Sequence, residues 1–278
     1  MHISTLTRAA FIAVLLASAP AIGHAQVYMG VGVNIAPPII PVYTQPPAPA
    51  PNYLWQPGYW AWGPGGYYWV PGTWVAAPAV GMLWTPGYWG WGGSAYYWHP
   101  GYWGRTVGFY GGINYGFGYF GAGYVGGGWN GGVFRYNTAI TNVNRVVIHN
   151  TYIDKTVVYR NNNNHTGYNG GHGGIQAHPT QGQISARDHG MAPTSEQQYH
   201  EQLSGQDRNH LSTVNHGQPN TAAVTHPYNQ NNPPAHSAPI TNSDRQAAQQ
   251  HVAPQNGNHP PPNGNHPQQN GKPPHQEQ

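Results

Sequence analysis

The feature that most constrains this chain is a pair of tryptophans around a Pro-Gly step, written four times: WQPGYW from Trp55, WVPGTW from Trp69, WTPGYW from Trp84 and WHPGYW from Trp98. The repeating object is larger than this frame. LWQPGYWAWGPGGYYWVPGTW (54–74) aligns without gaps on LWTPGYWGWGGSAYYWHPGYW (83–103) at an offset of 29 residues with 14 identities, so a 21-residue unit is used twice. Ten of the eleven tryptophans lie between Trp55 and Trp103, and the run 26–104 contains no Asp, Glu, Lys or Arg. A chain that concentrates its largest apolar side chains in so short a run is expected to spend many of them on its own core.

Each 21-mer reads as a β-hairpin with Trp- and Tyr-rich arms and a Gly-rich connection, Gly63-Pro64-Gly65-Gly66 in the first and Gly92-Gly93-Ser94-Ala95 in the second. The pairs Pro57-Gly58, Pro71-Gly72, Pro86-Gly87 and Pro100-Gly101 are expected to bend an arm, or alternatively to form the hairpin turn itself; under either reading Pro sits where no ladder N–H is needed and Gly supplies conformational freedom. Trp55, Trp69, Trp84 and Trp98 form one equivalent set and Trp60, Trp74, Trp89 and Trp103 another, which raises the question of which set faces the core.

The rest of the chain divides by composition. Residues 1–25 read as a secretory signal, with Arg8 before an apolar run and Gly23-His24-Ala25 as the cleavage site. That apolar run is too short for a membrane span, so no transmembrane anchor is expected, and the chain has no cysteine for a disulfide or a lipid anchor. Residues 26–52 are a short strand and a linker with seven prolines between Ala36 and Asn52, expected to be an extended polyproline spacer. The duplicated unit takes 53–104. Residues 105–132 are Gly- and aromatic-rich; their glycines speak against a helix and for irregular strand or loop. Residues 133–160 alternate β-branched or aromatic residues with polar ones and carry the most ordinary strand signal. Residues 161–212 are polar, with Thr180 and Thr194 placed to cap short helices. Residues 213–278 are Asn-, Gln-, His- and Pro-rich and are expected to be disordered. The fold class is therefore mainly β and small: two Trp-rich hairpin repeats, a further β segment, short marginal helices and a large low-complexity fraction.

The frames, the stretch GGINYGFGYFGAGYVGGGW, and YNTAITNVN, HNTYIDKTVV and GGHGGIQAHPT further on resemble the bacterial YXWGXW (WXXGXW) repeat proteins. The resemblance implies an exported protein of the Gram-negative envelope and assigns no activity to particular residues.

Chemistry is sparse. Charged residues are 6% of the chain and the formal charge is +3, too small and scattered for a nucleic-acid surface. His149, Asp154, Glu196 and Glu201 read as solvated or structural, and no serine stands in a nucleophile-elbow context; the expectation is a protein that is not an enzyme and has no cofactor. The seventeen histidines show no H-x-H or H-E-x-x-H spacing, so no metal site is expected. Flat aromatic arrays stack well on sugar faces, which makes Trp60, Trp62, Trp89 and Trp91 the candidate binding surface. Partners are then envelope glycans, or further copies of this uncharged chain pairing at hairpin edges.

Overall fold

The computed structural model describes residues 31–235 and 239–252; the signal expected over 1–25 and the tail beyond 252 lie outside them. Strands dominate. The first repeat contributes β1 (Tyr53–Gln56), β2 (Tyr59–Gly63), β3 (Gly66–Val70) and β4 (Thr73–Ala76), with β2 paired to β3 and β1 to β4, both antiparallel. The second repeats the plan with β5 (Leu83–Thr85), β6 (Tyr88–Trp91), β7 (Tyr96–His99) and β8 (Tyr102–Gly104). Each repeat is thus one long hairpin whose arms both break at Pro-Gly. The turn is the Gly-rich connection, where Gly66 (φ +96°) and Gly93 (φ +95°) adopt the left-handed conformation open to glycine.

The break changes which way the side chains point. Trp55 and Trp60 are five positions apart, which in an unbroken strand puts them on opposite faces. The interrupted arm turns both inward. Trp55 pairs with Trp74 and Trp60 with Trp69, their rings 5.2 and 5.1 Å apart and nearly edge to face; Trp84–Trp103 and Trp89–Trp98 repeat this at 5.3 and 5.5 Å. Each cross-strand pair joins one tryptophan from each equivalent set, so both sets face one core. Such pairs are worth about 0.5–1.5 kcal/mol each beyond the area they bury.

The frame glycines are required for a different reason from the one expected. None of Gly58, Gly72, Gly87 and Gly101 has a positive φ. Each lies beneath the indole edge of the tryptophan that opens the partner frame. A Cβ on Gly58 would sit 2.2 Å from Trp69 Cζ2, on Gly72 2.5 Å from Trp55 Cζ2, on Gly87 2.4 Å from Trp98 Cζ2 and on Gly101 2.5 Å from Trp84 Cζ2. The W-x-P-G-x-W spacing is a packing rule: a bend that turns both indoles inward, and a bare backbone for the opposing indole to cover.

The proline-rich run is extended but is no spacer. Ile40, Gln45 and Ala48 are buried, and the carbonyls of Ile35, Ile39 and Pro46 accept from Tyr67 Oη, Trp60 Nε1 and Trp74 Nε1 at 2.8–3.0 Å. Proline removes N–H donors and leaves carbonyls, and an indole N–H can only donate, so the run complements the tryptophans.

Beyond the repeats, β9 (Asn114–Gly116) pairs with β10 (Tyr119–Phe120), and β11 (Gly127–Asn130) with β12 (Val133–Asn137), which β13 (Thr151–Tyr152) joins in parallel. The strand signal over 133–160 is realised only in β12 and β13. Asn137 and Asn144 accept through Oδ1 from the N–H groups of Ala139, Asp154 and Val146, diverting the chain into turns, and Asp154 caps a 3₁₀ helix at Lys155–Arg160. Strand β14 (Tyr168–Asn169) adds to β6. Helices α1 (Gln181–Asp188) and α2 (Ser195–Ser204) open on capping boxes at Thr180/Gln183 and Thr194/Gln197. The short α3 (Ser212–Asn215) and α4 (Asn242–Val252) follow.

Disorder expected from 213 onward is corrected for 213–235 and 239–252. Leu211 and Ile240 cover the outer face of the first hairpin at Ala61, Tyr68 and Val70. The chain near Ala222 pairs with Gly72, and Arg208 holds Asp244 of α4 at 2.8 Å. This polar segment has too few apolar residues for a core of its own and borrows that of the repeat.

Candidate functional site

Of the four tryptophans expected to form a binding surface, the structure buries two. Trp60 is 1% exposed and Trp89 3%, and the Trp89 indole donates to the Trp60 carbonyl at 2.8 Å, tying the two repeats together. Neither ring can meet a ligand face in the folded protein. Trp62 is half-buried against Tyr67, whereas Trp91 is 38% exposed at the tip of the second hairpin with Tyr97 at 36%. The expected four-ring array reduces to this tip.

A second place was not singled out by the sequence. Where the Pro-Gly bends of both repeats meet α2, a cavity of about 40 Å³ is lined by Gln56, Tyr59, Trp84, Trp98, Tyr115, Gln197 and Glu201 among others. Its rim is a parallel stack of Tyr59 on Trp98, 5.1 Å between centroids and 14° between planes. Gln197, fixed at the start of α2 by its capping box, accepts from Trp103 Nε1 at 2.7 Å and donates to Gln56 Oε1 at 2.7 Å. One turn on, Glu201 accepts from Tyr59 Oη at 2.8 Å. Burial raises the carboxyl pKa, and the Tyr59 hydrogen bond pulls it partly back. Burial and then the neighbouring carboxylate hold Tyr59 as a phenol. The reading of Glu201 as a solvated or structural acid is thereby sharpened: it is half-buried, and its partner is a tyrosine of the first repeat. No local signal in the sequence connects residues 142 positions apart.

The frames also present hydrogen-bond donors in pairs. In the frame from Trp69, the indole Nε1 and the backbone N–H of Gly72 both donate to the carbonyl of Ala222, each at 3.0 Å. In the frame from Trp55, Gly58 N–H donates to Tyr43 Oη at 3.1 Å, and the Trp55 indole lies beside the same hydroxyl without reaching full hydrogen-bond geometry. The motif thus gathers an indole and a peptide N–H around one oxygen.

On the buried face of α2, which Gln197 and Ser204 share, His200 donates from Nε2 to the Pro71 carbonyl and accepts the Tyr228 N–H on Nδ1, both at 2.8 Å. Among the described residues no three His, Asp or Glu side chains are placed to hold a metal ion, and no helix is long and apolar enough to cross a membrane.

The model of the WXXGXW repeat family matches the chain twice, at residues 51–75 and 80–103, the two hairpins described above. No curated protein and no solved structure matches the chain.

Proposed function

We propose that this WXXGXW repeat protein is an exported, non-enzymatic interaction protein of the bacterial cell envelope. The observation that carries the reading is the use of the tryptophans. The frame indoles hold distant parts of the chain together: Trp60, Trp74, Trp69 and Trp103 donate to Ile39, Pro46, Ala222 and Gln197. The donors of these four indoles are consumed in building a scaffold. The buried titratable groups support the same view, since Glu201 and His200 face a phenol, a peptide carbonyl and a peptide N–H, partners suited to structure. Fractionating cells into cytoplasm, periplasm, outer membrane and medium tests the address; recovery of the full-length chain in the cytoplasm would overturn it.

A second reading, contact with envelope glycans, is favoured by the exposed Trp91 and Tyr97 at one hairpin tip. Exposed rings on a rigid hairpin suit stacking on sugar faces. Pull-down on peptidoglycan and insoluble polysaccharide is expected to retain the protein and to lose it in the Trp91→Ala/Tyr97→Ala double variant. Equal retention of the two would remove the tip from consideration.

A further inference from the structure

The donor pairs differ between the two repeats. In the first, the Ala222 carbonyl answers both donors of the frame at Trp69, and Tyr43 Oη takes the Gly58 N–H of the frame at Trp55 with the Trp55 indole beside it. In the second, the equivalent donors are the indole Nε1 groups of Trp84 and Trp98 with the N–H groups of Gly87 and Gly101. Among the described residues no protein oxygen answers these two pairs, and neither indole nitrogen is among the sealed, unpartnered atoms, as Trp55 Nε1 is. All four residues line the cavity beneath α2. The same cavity holds Glu201, which has one oxygen bonded to Tyr59 and the other without a donor among the described residues.

We infer that this cavity is a binding site for hydroxyl groups at the edge of a saccharide or similar polyol, with the donor pairs of Trp84/Gly87 and Trp98/Gly101 holding hydroxyl oxygens and Glu201 accepting a hydrogen bond from a hydroxyl. The choice of ligand follows from the mixture of groups. A carbonyl oxygen satisfies the N–H donors and leaves the carboxylate oxygen without a donor; an ammonium group does the reverse. A hydroxyl accepts from the first and donates to the second. An unpaired polar group in a partly dry site weakens binding strongly, so the site discriminates by this match. Size sets how much of the ligand enters: about 40 Å³ takes a hydroxymethyl group or a vicinal pair of hydroxyls, and the sugar ring stays outside against Trp98.

The inference rests on the glycan reading but on another site than the hairpin tip, so the two fail separately. The test is a titration of the ¹⁵N-labelled full chain with glycerol, glucose and N-acetylglucosamine, followed in the N–H spectrum. Saturable shifts are expected at the Trp84 and Trp98 indoles and the Gly87 and Gly101 amides, while Trp69 and Gly72 stay in place. Glu201→Gln, which keeps an acceptor for Tyr59, should weaken binding about tenfold, the loss expected for one charged hydrogen-bond partner. Dimethyl sulfoxide, an acceptor without a donor, should bind the unaltered protein at least about tenfold more weakly than glycerol, which tests the match even if the variant fails to fold. The site is overturned if the four signals do not move at about 100 mM of any polyol, well above the millimolar range of a weak site, if the first repeat's donors move equally, or if dimethyl sulfoxide binds as well as glycerol. Retention on insoluble glycan through Trp91 and Tyr97 alongside unmoved cavity signals would leave the tip reading standing and remove this one.

Discussion

At the scale of single residues, the frame glycines are where the motif is least forgiving. A methyl group on Gly58, Gly72, Gly87 or Gly101 falls inside an indole, and the indole is a wedge fixed between two strands rather than the free end of a flexible side chain. Each Gly→Ala change should therefore destabilise the protein by about 1–3 kcal/mol or more, as overpacking does elsewhere. Gly182, in the first turn of α1, is the control. Nothing lies within 4 Å of a Cβ added there, and Gly182→Ala should stabilise by a few tenths to about 1 kcal/mol. Urea denaturation of the five variants checks both signs; near-neutral frame variants would show that the indoles have room to move. The spacing of the frame was legible in the sequence, whereas its cause was not. Pro-Gly invites an argument from φ, and only the position of an indole from the other arm reveals that space is what glycine provides.

Among the elements, legibility followed how local the controlling interactions are. The two hairpins, their Gly-rich turns and the capping boxes of α1 and α2 depend on neighbours within a few residues, and the chain builds them as expected. The 133–160 segment and the stretch after 213 depend on partners far away or on side chains competing with the backbone, and alternation or polarity alone misjudged both. The segment at Ala222 is the clearest case. It reads as disordered, yet its carbonyl caps the Trp69 indole and the Gly72 amide, and the Val224 N–H donates to the Gly72 carbonyl at 2.8 Å. Ending the chain at Gln218 should expose these groups in the first repeat alone. Hydrogen exchange at the Trp69 indole and Gly72 amide is expected to accelerate by on the order of tenfold or more, the loss of roughly one to two net hydrogen bonds. The Trp89 indole, bonded to Trp60, should be little affected. Uniform acceleration across both repeats would mean that the segment holds the whole fold rather than one bend. The same logic explains why the cavity beneath α2 was hidden from sequence reasoning: Tyr59, Trp98 and Glu201 come from three elements that only tertiary packing brings together.

Across the whole molecule, the near absence of charge in the repeats makes the few buried ionisable groups decisive for how stability varies with pH. His200 joins α2, the bend at Pro71 and the chain at Tyr228 in one contact. Its Nδ1 must stay unprotonated to accept the Tyr228 N–H, because a proton there would set two donors against each other. Burial accordingly lowers its pKa to about 4, against the smaller raising effect of the Pro71 carbonyl, and His210 nearby lowers it further. His210 is itself lowered by burial, with the Ser204 carbonyl and Asp207 opposing. The sign follows. The unfolded chain binds protons at His200 from about pH 6.5 downward while the folded chain refuses them until about pH 4, so stability is full above 6.5 and is lost as pH falls through this window. For His200 alone the difference amounts to roughly 3 kcal/mol at its limit. Glu201, whose pKa is raised, acts in the opposite direction: its neutral form is favoured in the folded state, which adds stability as pH falls. The histidine effect should dominate because His200 is fully enclosed, whereas Glu201 opens on a cavity. Urea denaturation at pH 7.5 and pH 4.5 is expected to show a marked loss at the lower pH. His200→Asn, which offers an oxygen to the Tyr228 N–H and does not titrate, should lower stability at pH 7.5 and flatten the dependence on pH. A slope as steep in the variant as in the parent would transfer the pH dependence from this contact to His210 or to His99, whose burial and then the nearby Arg187 also lower its pKa to about 4.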